Sequence, residues 1–167
     1  QRGFAMKKII MLCAFFAVIW PTMAQAQSAD KKILFMSPDD IVQMLEKTKG
    51  KKRVLVLLGT DCAECHAKFL DILHLDQGKR HVIIPIFHSE KVLDFKRYIR
   101  SFNEIPIKVV YNSGSQYALM QSLRPYGVRP WKTLPRVILL DANNRVFGQG
   151  NHSADKISIF LSRNMNN

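Results

Sequence analysis

Cysteine is scarce in this chain, with three residues in 167. Acidic residues are also few: 13, against 25 lysines and arginines. No internal repeat, low-complexity segment or inner linker divides the sequence, so one domain is the expectation for its folded part. No nucleic-acid-binding motif accompanies the basic charge. His74, His81, His88 and His152 show no paired spacing, and they read as surface or satisfied residues. A structural zinc site needs four ligands, and one cysteine pair without paired histidines falls short of that set. A copper chaperone built on Cys62, Cys65 and a distant histidine is conceivable but has no further motif behind it. The reading calls for no metal and no cofactor.

The N-terminal residues read as a targeting segment. Met6-Lys7-Lys8 supplies a basic start, and Ile9 to Trp20 is an apolar run without a charge. Pro21 breaks the run, and Ala24-Gln25-Ala26 fits the small-x-small pattern of a signal-peptide cleavage site. Spanning a bilayer takes about 20 apolar residues, more than this run offers. We therefore expect residues 1–26 to be an N-terminal extension plus signal peptide, cleaved after Ala26. Residues 27–167 then form a single domain in the periplasm. The alternative is an uncleaved anchor, which would be the protein's one membrane attachment. Cys13 lies inside the apolar run and lacks the preceding small residue of a lipoprotein signal. Cleavage removes Arg2, Lys7 and Lys8 and no acid, leaving 22 basic against 13 acidic residues, a net charge of +9. This reads as a solvated basic surface, or as a preference for acidic partners or anionic membranes.

After cleavage the only cysteines are Cys62 and Cys65. A structural disulfide usually closes a longer loop, and a bridge across two residues removes little chain entropy. Chemistry therefore explains the pair better than stapling does.

The rest of the chain alternates buried-type strands with helical stripes. Ser37-Pro38-Asp39-Asp40 opens a helix with a capping serine, proline at the first position and two acids at the positive end. Ile41, Met44 and Leu45 carry its apolar stripe, and Gly50 stops it. Arg53 to Leu58 and Val82 to Phe87 read as strands buried on both faces. Pro85 suggests that the second is an edge or carries a bulge. Helices are expected from Cys62 onward, with Phe69, Leu70, Ile72, Leu73 and Leu75 as the apolar face. Others are expected over Ser89 to Phe102, over Ser115 to Leu123 and after Ser153. Ile107 to Tyr111, Arg136 to Leu140 and Arg145 to Gly148 complete the strands, the last two joined by a turn at Asp141 to Asn144. Tyr117, Leu119 and Met120 are assigned to the core. Trp131 either packs under its loop or contacts substrate. The alternation implies an α/β sheet of four or five strands covered on both faces.

The pattern places Cys62-Ala63-Glu64-Cys65 directly after a buried strand and on the first turn of a helix. Unpaired N–H groups and positive partial charge at a helix start stabilise a thiolate, the nucleophilic form of cysteine. Cys62 is expected to be the exposed attacker and Cys65 the more buried resolver, reaching back within one turn. Asp61 and Glu64 oppose the helix charge, and His66 counters them when protonated. These modulators favour a reducing or isomerising protein over an oxidising one.

The strand-GTDCAEC-helix segment is followed by Tyr126-Gly127-Val128-Arg129-Pro130 and by Thr133-Leu134-Pro135-Arg136-Val137-Ile138-Leu139-Leu140-Asp141. Together they resemble the thioredoxin superfamily, in particular its TlpA/ResA-type exported thiol-disulfide oxidoreductases, over residues 37–163. The resemblance implies a thioredoxin-like three-layer α/β/α sandwich with a central mixed sheet. It implies a cis proline at Pro135 facing the cysteines, with Leu134 offering its backbone to an extended partner chain. It also implies protein thiols and disulfides as substrates and an upstream redox partner, with no nucleic acid. The chain departs from the pattern at three places. Asp61 stands where relatives often have an aromatic, and Glu64 where they often have proline. Val56 replaces the buried acid of thioredoxin proper, so the proton acceptor for Cys65 is unassigned, with Glu64 or a water as candidates.

Two rival readings use the same residues. Cys62-Ala63-Glu64-Cys65-His66 is also the c-type haem attachment pattern, with His66 proximal and Met120, His152 or Met165 distal. A redox-silent adaptor could keep the fold alone.

Overall fold

Six strands, not four or five, form the central sheet, in the order β1-β4-β3-β2-β5-β6. The computed structural model describes residues 32–75, 83–102 and 104–163. The expected signal segment, Cys13, His81, Val82, Met165 and the C-terminal residues 164–167 lie outside this set. The elements are β1 (Ile33–Met36), α1 (Pro38–Lys47), β2 (Arg53–Gly59), α2 (Ala63–Leu75), β3 (Ile83–His88) and α3 (Val92–Arg100). They continue with β4 (Val109–Asn112), α4 (Gln116–Leu123), a 3-10 turn (Arg124–Tyr126), β5 (Arg136–Leu140), β6 (Val146–Gly150) and α5 (Ala154–Ser162). Strands β1 to β4 pair in parallel, while β5 pairs antiparallel with β2 and with β6, which makes the sheet mixed.

Side-chain alternation along β2 builds a core on each face. Val54, Val56 and Leu58 pack with Phe69 and Ile72 of α2, Phe95 and Ile99 of α3 and Ile157 and Phe160 of α5. Leu55 and Leu57 pack on the other face with Ile41 and Leu45 of α1, Leu119 and Leu123 of α4 and Trp131. The three-layer α/β/α arrangement follows directly. The helix starts use the expected chemistry. Ser37 and Asp40 form a reciprocal capping box, and Ser115 and Ser153 accept from Ala118 and Lys156 backbone N–H groups.

Several expectations change. Strand β1 was not foreseen: it is four residues long and sits at the sheet edge, and its partner β4 is remote in sequence. Pro85 lies in the interior strand β3, not at an edge; pairing with β4 begins only at the next residue, so the ladder on that side does not extend to the proline. Leu70 points to solvent rather than to the core. Tyr117 is 66% exposed, while Leu119 is buried and Met120 partly buried, so only part of that group is core. Trp131 is buried and packs under its loop.

Candidate active site

Parallel strands that feed helices present the helix starts along one sheet edge, where open α/β sheets place their sites. Cys62 follows β2 at that edge. Because β5 runs antiparallel to β2, its entry segment Leu134-Pro135 arrives at the same edge. The two meet: the Leu134-Pro135 peptide bond is cis, and the Cys62 sulfur lies 3.7 Å from the Leu134 carbonyl oxygen. Gly59, the last residue of β2, lies beside both groups. A Cβ there would lie 3.6 Å from Leu134 Cδ1 and 3.7 Å from Cys62 Cβ.

Cys62 and Cys65 form a disulfide with Cα atoms 5.1 Å apart. Cys62 caps α2. Its carbonyl accepts the first helical bond from His66 N–H at 3.1 Å, and its sulfur accepts from Cys65 N–H at 3.2 Å. A serine or aspartate oxygen makes the same contact at an ordinary helix start. Here sulfur takes that place, with the helix dipole aimed at it. Cys62 is half-buried and Cys65 has no exposure, so the outer and inner positions expected of the two cysteines are the ones observed.

The flanking charges are less engaged. Asp61, Glu64 and His66 are all exposed. Asp61 accepts from Thr60 Oγ1 at 3.0 Å. His66 turns toward α3: its Nδ1 lies 3.1 Å from the Tyr98 hydroxyl, and its ring stacks on Phe102. Burial pushes the Tyr98 phenol up to about 12, so it stays protonated. Val56 is fully buried and apolar, so β2 places no carboxylate beneath Cys65.

Cys62 borders a cleft of about 870 Å³ that runs from Gly59 and Leu134 across the β3–α3 connection to α3. Its walls are mostly polar, with Ser89, Lys91, Asp94, Arg97 and Gln116 among them. The haem reading meets a different geometry. Met120 packs on the α1/α4 face of the sheet, opposite the face that carries α2, and His152 Nε2 is buried. His66 faces Tyr98 and Phe102, and Met120 lies across the sheet from it. Among the described residues, no group of three or more His, Cys, Asp or Glu is placed to hold a metal ion. No described helix is long and apolar enough to cross a membrane.

One residue of this edge was misread from sequence. His88, taken for a surface or satisfied histidine, ends β3 in register with Gly59 and borders the cleft that holds Cys62. Its Nδ1 is buried without a protein partner. A lone histidine after an apolar run carries no signal that would have shown this.

The sheet order, the cysteine pair on α2 and the facing cis proline define a thioredoxin-like fold with a thiol-disulfide oxidoreductase-like arrangement. No family model matches the chain, and no curated protein matches it. Solved structures do share its fold. A thiol:disulfide interchange protein of the thioredoxin family from Chlorobium tepidum is 19% identical, with a TM-score of 0.55 over 70% of this chain and 81% of its own. The pneumococcal exposed lipoprotein thioredoxin from Streptococcus pneumoniae is 21% identical, with a TM-score of 0.54 over 70% of this chain and 87% of its own. StoA from Bacillus subtilis is 14% identical, with a TM-score of 0.51 over 68% of this chain and 84% of its own. The fold named from the sequence is the fold the chain has.

Proposed function

We propose that the protein is a thiol-disulfide oxidoreductase that acts on protein partners outside the cytoplasm, reducing or isomerising their disulfides. The observation that carries this reading is the Cys62–Cys65 disulfide at the start of α2, with Cys62 open to a cleft and facing Leu134-Pro135. In the reduced state the Cys62 thiolate attacks a partner disulfide. A mixed disulfide forms at Cys62, and the first partner sulfur leaves. Cys65, directly behind, attacks the Cys62 sulfur and releases the second partner sulfur as a thiolate. The partner is reduced by two electrons, and the protein is left as the disulfide. An upstream thiol partner returns it to the dithiol.

The Leu134 backbone is the docking edge for the partner. An extended segment pairs with main-chain groups there while its sulfur meets Cys62. No cofactor, metal or nucleic acid takes part. Residues 1–26 act as the export signal, cleaved after Ala26, and residues 27–167 form the working domain. A retained signal segment is the one route to membrane attachment. An exposed lipoprotein thioredoxin is among the solved structures that share the fold, which supports a place outside the cytoplasm.

Titration of the purified protein in a glutathione redox series, with its absorbance spectrum recorded, tests the proposal. A two-electron thiol transition is the expected result. A Soret band would transfer the case to haem attachment, and cysteines that never change state would leave a redox-silent adaptor.

A further inference from the structure

Exchange moves a proton as well as electrons, and the cleft beside Cys62 offers an imidazole for it, that of His88. His88 is cross-strand partner to Gly59, so the two Cα atoms stand about one strand spacing, roughly 4.8 Å, apart. Gly59 has no side chain, and a Cβ there would lie 3.7 Å from Cys62 Cβ. No side chain at Gly59 therefore stands between His88 and Cys62. The residue after His88 is held in place: the Tyr111 hydroxyl donates to the Ser89 carbonyl at 2.9 Å, and Ser89 Oγ lies 3.2 Å from Thr60 Oγ1.

The ring lies between two spaces. One is the cleft of Cys62, whose other ionisable walls are Asp61, Glu90, Lys91, Asp94, Arg97 and Tyr98. The second is a small pocket behind Leu134, of about 10 Å³, which His88 lines with Asn112, Gln116 and Trp131. Two buried polar atoms without protein partners belong to the residues lining it, His88 Nδ1 and Trp131 Nε1. With Nδ1 buried, Nε2 is the nitrogen left to load and unload on the cleft side.

We propose that His88 carries the proton of the exchange step at Cys62, an inference that rests on the oxidoreductase reading. The Cys62 thiol loses its proton to His88 Nε2 through water in the cleft. The thiolate's electron pair forms a bond to the near sulfur of the partner disulfide. The partner S–S bond breaks, and its electron pair leaves on the far sulfur. His88 hands its proton to that departing thiolate and returns to neutral. No outside oxidant or reductant enters the step.

Two disulfides separate this role from a structural one. Glutathione disulfide releases an alkyl thiolate that gains from a proton. 5,5′-Dithiobis(2-nitrobenzoate) releases an aromatic thiolate that is stable without one. The full chain is reduced, freed of reductant and mixed with each probe in single-turnover experiments. The ratio of the glutathione rate to the aromatic rate is expected to fall about tenfold in His88→Gln. That is less than acid–base side chains usually supply, because a thiolate leaves readily even unprotonated. His88→Asn is the second variant if the first does not fold. A folded variant with the wild-type ratio, whether both rates are kept or both fall together, overturns the inference alone. Wild-type protein that reduces neither probe overturns the oxidoreductase reading and this inference with it.

Discussion

Cys65 lies wholly buried behind Cys62, and its backbone N–H donates to the Cys62 sulfur at 3.2 Å. One sulfur therefore meets the cleft and the other meets only its partner. Cys62→Ala is expected to abolish disulfide reduction. Cys65→Ala is expected to accumulate mixed disulfides, visible as adducts on non-reducing gels and lost on adding reductant. Full reductase activity in both variants would remove the pair from the mechanism.

Gly59 lies beside both Leu134 and Cys62. A Cβ at this site meets Leu134 Cδ1 and Cys62 Cβ at ordinary contact distances of 3.6 Å and 3.7 Å. Gly59→Ala is therefore expected to keep its melting temperature and most of its activity. A branched side chain has no such room. Gly59→Leu is expected to slow reduction of a protein disulfide on the order of tenfold or more, because exchange is sensitive to small misplacements of its groups. Equal rates for glycine and leucine variants would show that the Cys62–Leu134 spacing does not matter.

Most of this edge was legible in the sequence because its signals are local. Ser37, Ser115 and Ser153 announce their helices within three residues, and the Cys-x-x-Cys pair needs only the strand before it and the helix after it. Three features were not legible, for a shared reason. Strand β1 gains its identity from pairing with β4, which forms from Val109–Asn112 far along the chain. Tyr117 has helical spacing with Leu119, yet only Leu119 faces a partner. His88 acquires meaning from Gly59, its neighbour across the sheet. Each depends on what tertiary pairing brings alongside, which periodicity does not encode.

At the opposite sheet edge a buried cation depends on one amide. Arg53 is 1% exposed, and its guanidinium donates to the Thr48 carbonyl, the Thr48 hydroxyl and Asn144 Oδ1. Burial lowers its proton affinity. Asn144 adds a second bond, from Nδ2 to the Leu45 carbonyl at 3.0 Å, and holds a turn at φ +65°. Asparagine suits both tasks, since it tolerates the left-handed region better than most residues. Asn144→Ala leaves a charged donor unpaired and is expected to cost about 2–3 kcal/mol in urea unfolding. Asn144→Gly relieves the backbone but not the guanidinium, so it should recover only part of the loss. A glycine variant as stable as wild type would assign the whole effect to the turn.

His152 gives the fold a pH dependence of definite sign. It packs against Gly148 and Gly150 of β6, and its Nε2 is buried without a protein partner. Burial, reinforced by the charges of Lys156, Arg136 and Lys68, lowers its pKa from the ordinary 6.5. The native state therefore holds His152 neutral where the unfolded chain already binds a proton. Stability from this group is complete above 6.5 and is lost as pH falls below it, through the window down to the lowered native value. His152→Gln removes the titration and keeps a polar side chain. Melting temperatures of the two proteins are expected to differ most at pH 7 and above and to converge as pH falls from 6.5 toward 5. A gap that stayed constant over that range would show that His152 does not resist protonation in the folded protein.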